Sequence, residues 1–324
     1  MSRTEEKRLR LQKHFQRYLA ILFEQGGPRA DFLNACATGD LQQAGALLNE
    51  DPGLASIPTG EVTPIRIAAV YGHAALAELL IRHGAPVSTP AGTYRNYPLH
   101  LAAICEHCDV IEVLIAHGAE IDAQDEYWAT PLHRAASGDS QAAVHLLAQA
   151  GANLEHRDRF LDSTPLQHAI VDRNAAIVRE LVRLGADVNA ETCAEPNLSF
   201  GNLTEYQWPL IDGTYNGTRP LHTAVCVRWP EGVNLLLDHG ADINALSFGW
   251  SALHAAVAIP DPDIVELLLR RGADSYVKAD LKSRRGPEWN HHTPMDLLAG
   301  FRRSAQLLRD AQQRFVPERK IPPA

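Results

Sequence analysis

Apolar and polar residues follow a helical rhythm along this chain, and the rhythm is broken at regular intervals. Val110, Ile111, Val113, Leu114 and Ile115, for example, recur at the spacing of a helix face. The run stops at Gly118, a residue that tolerates a left-handed C-cap. A shorter apolar segment precedes each such run, and it usually opens on Thr-Pro. Threonine caps the helix there, and proline takes the first helical position, where its missing N–H costs nothing. The same frame returns in "VTPIRIAAVYGHAALAELLIRHGA" from Val62, "NYPLHLAAICEHCDVIEVLIAHGA" from Asn96, "ATPLHRAASGDSQAAVHLLAQAGA" from Ala129 and "STPLQHAIVDRNAAIVRELVRLGA" from Ser163. Two more copies start at Thr218 and Trp250, and a partial one, "HTPMDLLAGFRRSAQLL", starts at His292. Pro64, Pro98, Pro131 and Pro165 stand about thirty-three residues apart. Two short helices cannot bury both their faces, so neighbouring pairs must stack into a one-dimensional array with a hydrophobic spine and a long concave surface. Between pairs, "AEIDAQDEYWAT" (Ala119–Thr130) has the alternation and turn of a two-stranded finger.

The repeated "TPLH…A…LL…GA" resembles the ankyrin-repeat family over roughly Asp31 to Gln312. The resemblance implies an all-α ankyrin-repeat solenoid, built of stacked helix-turn-helix pairs with β-hairpin fingers, in about seven to eight repeats over residues 31–316. "DFLNACATGDLQQAGALLNEDP", from Asp31, reads as a degenerate first repeat, as expected of a unit that caps a stack. Residues 1–30 are expected to hold an amphipathic capping helix with Leu9, Leu11, Phe15, Tyr18, Leu19 and Leu22 on its apolar stripe. Packing on the first repeat is favoured over a membrane surface, because Glu5, Glu6 and Glu24 dilute the basic face. Residues 317–324 read as a flexible C-terminal tail.

The 324 residues carry ordinary apolar and charged fractions, which points to a folded chain. A net charge of -9 disfavours sequence-independent nucleic-acid binding and suits a basic partner. Five scattered cysteines are poor material for a disulfide framework. No segment has the length of a membrane span, and "YLAILF" is shorter than a signal h-region. A cytoplasmic monomer is the expectation.

Fifteen histidines invite a metal hypothesis, but most fill repeat positions. His100, His133, His222 and His254 are the His of "PLH", a structural place in the family that the chain resembles. His73 and His107 lie between helices, and His83, His117 and His239 precede the terminal glycines, where a protonated ring suits a helix C-terminus. "CEHC" (Cys105, His107, Cys108) lacks the second ligand pair of a zinc site, and His291-His292 is similarly isolated. No nucleotide loop, HExxH or GxSxG motif occurs. The chain is therefore expected to be no enzyme and to hold no metal or cofactor.

Two interruptions stand out. The chain takes 34 residues from Gly185 to Arg219, where it takes 12 from Gly118 to Thr130. A long finger insertion is placed at 191–217 and a shorter one at 278–291; insertions in repeat proteins map to one face, often the binding face. Aromatics gather in the same places. Trp128, Trp208, Trp250 and Trp289 fall in fingers with Tyr94, Tyr97, Tyr127, Phe160 and Phe248, the large insertion adds Tyr206 and Tyr215, and Trp229 alone sits between helices. Trp128 takes the turn position where family fingers usually carry glycine. The expected partner-binding set is Tyr94, Tyr127, Trp128, Phe160, Tyr206, Trp208, Tyr215, Trp250 and Trp289, serving a peptide or folded protein. Asp122, Asp125, Glu126, Glu155, Asp158, Asp187, Glu191, Glu195, Glu205 and Asp212, against Arg157 and Arg159, lend the central fingers an acidic balance that would steer a basic partner. Two alternatives remain: a lid over a small-molecule or catalytic pocket using Cys193, His291 or His292, and a structural module that docks through a helix face or self-associates. The sequons at Asn197, Asn202 and Asn216 read as coincidental without a signal peptide.

Overall fold

The computed structural model describes residues 3–24, 26–57, 62–159, 162–191, 219–247, 249–258, 261–278 and 293. Among them the helices are α1 (Arg3–Phe23), α2 (Pro28–Thr38), α3 (Leu41–Glu50), α4 (Pro64–Tyr71), α5 (Ala74–Arg82), α6 (Pro98–Cys105), α7 (Cys108–Ala116) and α8 (Pro131–Ala136). The series continues with α9 (Gln141–Gln149), α10 (Pro165–Val171), α11 (Ala175–Arg183), α12 (Pro220–Cys226), α13 (Pro230–Asp238), α14 (Ala252–Ala258) and α15 (Pro262–Arg270). A 3-10 turn, Pro52–Ser56, follows α3.

The chain divides into two compact units. One comprises Met1–Phe160 with Ala176–Ala186, the other Leu161–Ala175 with Asp187–Ala324. In the first, α2, α4, α6 and α8 pack in one row and α3, α5, α7 and α9 in a second. In the second, α10, α12 and α14 form a row, with α13 beside α15. This is the expected all-α ankyrin-repeat solenoid architecture, built pair by pair.

Local chemistry explains each pair. Thr63, Thr130 and Thr164 hold extended backbone at the N-caps of α4, α8 and α10, with proline next in each case. Thr130 Oγ1 lies 2.9 Å from His133 Nδ1, and His100 Nε2 reaches the Ala129 carbonyl of the following finger at 2.8 Å. The "PLH" histidine thus ties one repeat to the next. Second helices end on Gly-Ala. Gly118, at φ 80, reverses the chain so that Ala119 N–H donates to the Leu114 carbonyl at 2.9 Å. Ala85, Ala152, Ala186, Ala241 and Ala273 make the same bond to the leucine five residues earlier.

The fingers depart from the expected β-hairpins. Among the described residues they contain isolated bridges, Ala91 with Asn96 and Ser247 with Trp250, and no strand. Their arms are too short for a ladder, and side chains take over the pairing. In the third finger, buried Asp125 accepts from Tyr127 N at 2.8 Å and Ala129 N at 3.1 Å while pairing with Arg134.

Helix α1 packs against α2, α4 and α6. Phe15 and Leu19 are its fully buried side chains, with the Arg66 guanidinium 5.6 Å from the Phe15 ring centre. Among the described residues no helix is long and apolar enough to cross a membrane.

Candidate functional site

The finger tips of the first unit bring three of the expected aromatics together. Glu126 N–H donates to the Tyr94 carbonyl at 3.0 Å, and Arg159 N–H donates to the Tyr127 carbonyl at 2.7 Å. These bonds join successive tips through backbone, so the side chains they carry are set at a fixed spacing. The Tyr94 and Tyr127 rings lie 6.1 Å apart at 32°, and the Arg159 guanidinium sits 5.3 Å over the Trp128 ring. Tyr94 is 54% exposed, Tyr127 38% and Trp128 50%. Three large rings open to solvent on tips joined through backbone form a surface suited to an apolar or aromatic side chain from outside.

Trp128 also carries backbone strain. Its φ is 59°, in the left-handed region where a bulky side chain is disfavoured; Arg95 and Asp162 hold the matching place in the adjoining fingers at 49° and 50°. Trp128 N–H closes the turn on the Asp125 carbonyl at 3.0 Å. The turn geometry is what glycine would adopt freely, so the indole gives the turn nothing that it needs.

Charge at the tips is mixed rather than acidic. Asp125 and Asp158 are buried, Asp122 accepts from Asn153 N at 3.0 Å, Asp187 accepts from Asn189 N at 2.8 Å, and Glu191 pairs with Arg219 at 2.8 Å. Glu126 and Glu155 remain exposed, beside exposed Arg95, Arg157 and Arg159. Much of the acidic count therefore serves the fingers themselves.

Trp250 is placed differently. It lies in the second unit, half-buried, with its ring 6.2 Å from His254 and its carbonyl accepting from His222 Nε2 at 2.9 Å. Its observed contacts stay within the repeat stack. Phe160, Tyr206, Trp208, Tyr215 and Trp289 lie outside the described residues, as do Cys193, His291 and His292. Arg159, counted in the sequence only as a charge among acids, proves to be the partner of Trp128. Its signal is its place one finger on, about thirty-one residues after Trp128, close to the repeat period.

The side chains of "CEHC" turn to separate tasks. His107 Nε2 reaches the Val70 carbonyl at 3.1 Å, and burial holds its pKa below the ordinary histidine value. Burial pushes the Cys105 thiol up to about 12, so it stays protonated. Cys108 Sγ lies 3.9 Å from Ser140 Oγ. Among the described residues no group of three His, Cys, Asp or Glu side chains could hold a metal ion.

A family profile described as "Ankyrin repeats (3 copies)" matches residues 32–125, 122–192 and 200–279. The human B-cell lymphoma 3 protein is 34% identical over 142 residues, 38% of this chain and 31% of that protein. Mouse Rabankyrin-5 is 32% identical over 111 residues, 34% of this chain and 9% of that protein. The chain thus spans a small part of the curated relatives it matches. The crystal structure of the ankyrin repeat domain of Bcl-3 aligns with a TM-score of 0.60 at 28% identity, covering 77% of this chain and 99% of that one. The human ASB11 ankyrin repeat domain aligns at 0.57 and 22% identity, covering 81% of this chain and 100% of that one, a likeness of fold.

Proposed function

Because the chain belongs to the ankyrin-repeat family, whose repeats are generally protein-protein interaction modules, we propose that it is a non-catalytic scaffold whose finger tips grip a peptide or folded protein. The observation that carries this reading is the exposed strip Tyr94, Tyr127 and Trp128, held by tip-to-tip backbone bonds and bought at Trp128 with a strained turn. Aromatic anchors ringed by charge make recognition surfaces because they bury much area at little cost in side-chain freedom. Basic groups on the partner would meet Glu126 and Glu155. The reading extends to Phe160, Tyr206, Trp208, Tyr215 and Trp289 as further anchors, working in the cytoplasm as a monomer without metal or cofactor.

A photo-crosslinking amino acid placed at position 94 or 127 is expected to capture a partner from native lysate, and one placed at exposed Glu112 on α7 is not. Trp128→Gly should cut that capture about five-fold or more, the minimum effect of losing one anchor. Equal capture from all three positions, or capture undiminished by Trp128→Gly, would sink the proposal.

A further inference from the structure

The row of first helices in the first unit already has an occupant. Helix α1 crosses it, with Lys7 Nζ donating to the Ser137 carbonyl at 2.6 Å, Gln12 Nε2 to the Val70 carbonyl at 3.4 Å, and Phe15 beneath Arg66. Between those points Arg8 lies close enough for its charge to bear on Cys105 and His107, at the end of α6. Val70 and Ser137 hold the same place in their repeats, seven residues after Thr63 and Thr130. So α1 runs from α8 past α6 to α4 and α2 along equivalent positions, its basic end against the carbonyl ends of the first helices, where positive charge is favoured.

α1 is seated as a ligand is, rather than as a core element. Of its 21 residues, Phe15 and Leu19 are buried among those described, while Leu9, Tyr18 and Ile21 stay 36%, 36% and 59% exposed. By contrast, α4 buries every residue from Pro64 to Val70. The joint after α1 is the pair Gly26-Gly27, both exposed, both at positive φ, with no atom within 4 Å of where a Cβ would stand. One departure from the repeat belongs to this site. Arg66 stands where His100, His133, His222 and His254 stand in their repeats, and its guanidinium faces the Phe15 ring.

We propose that the face of α2, α4, α6 and α8 is a helix-binding groove in which α1 is a tethered, displaceable resident, and that its external ligand is an amphipathic helix. That ligand presents a basic pair, then an aromatic and a leucine one helical turn apart, as α1 does with Lys7, Arg8, Phe15 and Leu19. Tethering gives α1 a high effective concentration, so a free helix binds weakly until α1 leaves. The groove is separate from the finger-tip strip, and either can fail without the other.

The test uses the full chain, a full-length Phe15→Asp/Leu19→Asp variant, and a fluorescent peptide of residues 2–24 as probe. The peptide should bind the variant at least ten-fold more tightly than the unaltered chain, and a peptide carrying the two aspartates should bind neither. A folded variant that fails to bind the peptide, or equal binding to both chains, overturns the proposal. Should the variant not fold, hydrogen exchange on the unaltered chain decides. Amides of α1 should exchange at least a hundred-fold faster than those of α4 and α6, and equal protection overturns the proposal.

Discussion

At the scale of single residues, chemistry and conformation are in tension at Trp128. A left-handed backbone costs a bulky residue about 1 kcal/mol or more relative to glycine. Trp128→Gly should therefore leave stability unchanged or raise it by up to about 1 kcal/mol, the loss of the Arg159 contact offsetting part of the gain. Thermal unfolding of the variant checks this, and a drop of several degrees would make Trp128 a packing residue. Buried histidines carry the second residue-scale prediction. Burial lowers the pKa values of His100 and His222 to about 4. Unfolded imidazoles titrate near 6.5, so the unfolded chain takes up protons first as the pH falls. Stability is complete above about pH 6.5 and is lost progressively down to about 4, by roughly 3 kcal/mol for each histidine. Denaturant midpoints measured from pH 7.5 to 4 should fall along that course, and His222→Gln should flatten it. His222 Nδ1 has no hydrogen-bond partner among the described residues, since Arg219 replaces the threonine that serves His133 elsewhere.

At the scale of elements, replaced residues show what the repeat positions do. His73 and His107 cap α5 and α7 and reach back to carbonyls of the preceding repeat, Ala37 and Val70. Gly39 and Gly72 leave room for those rings, since a Cβ there would stand 2.8 and 2.7 Å from the imidazoles. In the repeat of α12 and α13, Trp229 takes the histidine's place and is buried over Gly232, whose missing Cβ makes space for the indole. Gly→Ala inside a helix ordinarily stabilises by about 1 kcal/mol. Here Gly232→Ala should destabilise by about 1–3 kcal/mol through overpacking, and Trp229→His should restore much of the loss. A melt in which Gly232→Ala alone is stabilising would defeat that account. Arg219 shows another exchange. It donates to the Asn189 carbonyl at 2.9 Å and the Leu246 carbonyl at 3.3 Å and pairs with Glu191, which ties the first residue of the long insertion to the N-cap of α12.

At the scale of the whole molecule, helix pairs within each unit pack on their neighbours in sequence, as α4 on α6 and α12 on α14 do, so a local change should stay local. Leu268→Ala in α15 removes a fully buried side chain, a cost of about 2–5 kcal/mol. Hydrogen exchange should quicken in α13 to α15 and change little in α4 to α6; uniform loss of protection would mean that the stack unfolds as one piece. Replacing residues 192–217 by a short finger should keep both units folded, by circular dichroism, and remove those partner contacts that the insertion supplies. Capture unchanged by the replacement would confine recognition to Tyr94, Tyr127 and Trp128.

The sequence by itself determined the repeat, because Thr-Pro, the spaced leucines and Gly-Ala each act within a few residues of where they stand. Helix starts at Pro64, Pro98, Pro131, Pro165 and Pro220 and stops before Gly118 and Gly185 follow from local capping. It also marked Tyr94, Tyr127 and Trp128, as aromatics in fingers where small residues suffice. Tertiary structure alone decided which of the marked rings meet. Trp250 settles against His254, and the Tyr94, Tyr127 and Trp128 tips are joined through backbone groups that every residue possesses and no side-chain pattern announces. The same holds for α1. Its apolar stripe was legible, but the choice of surface depended on Arg66, Val70 and Ser137, residues from two different repeats that only stacking places in one line.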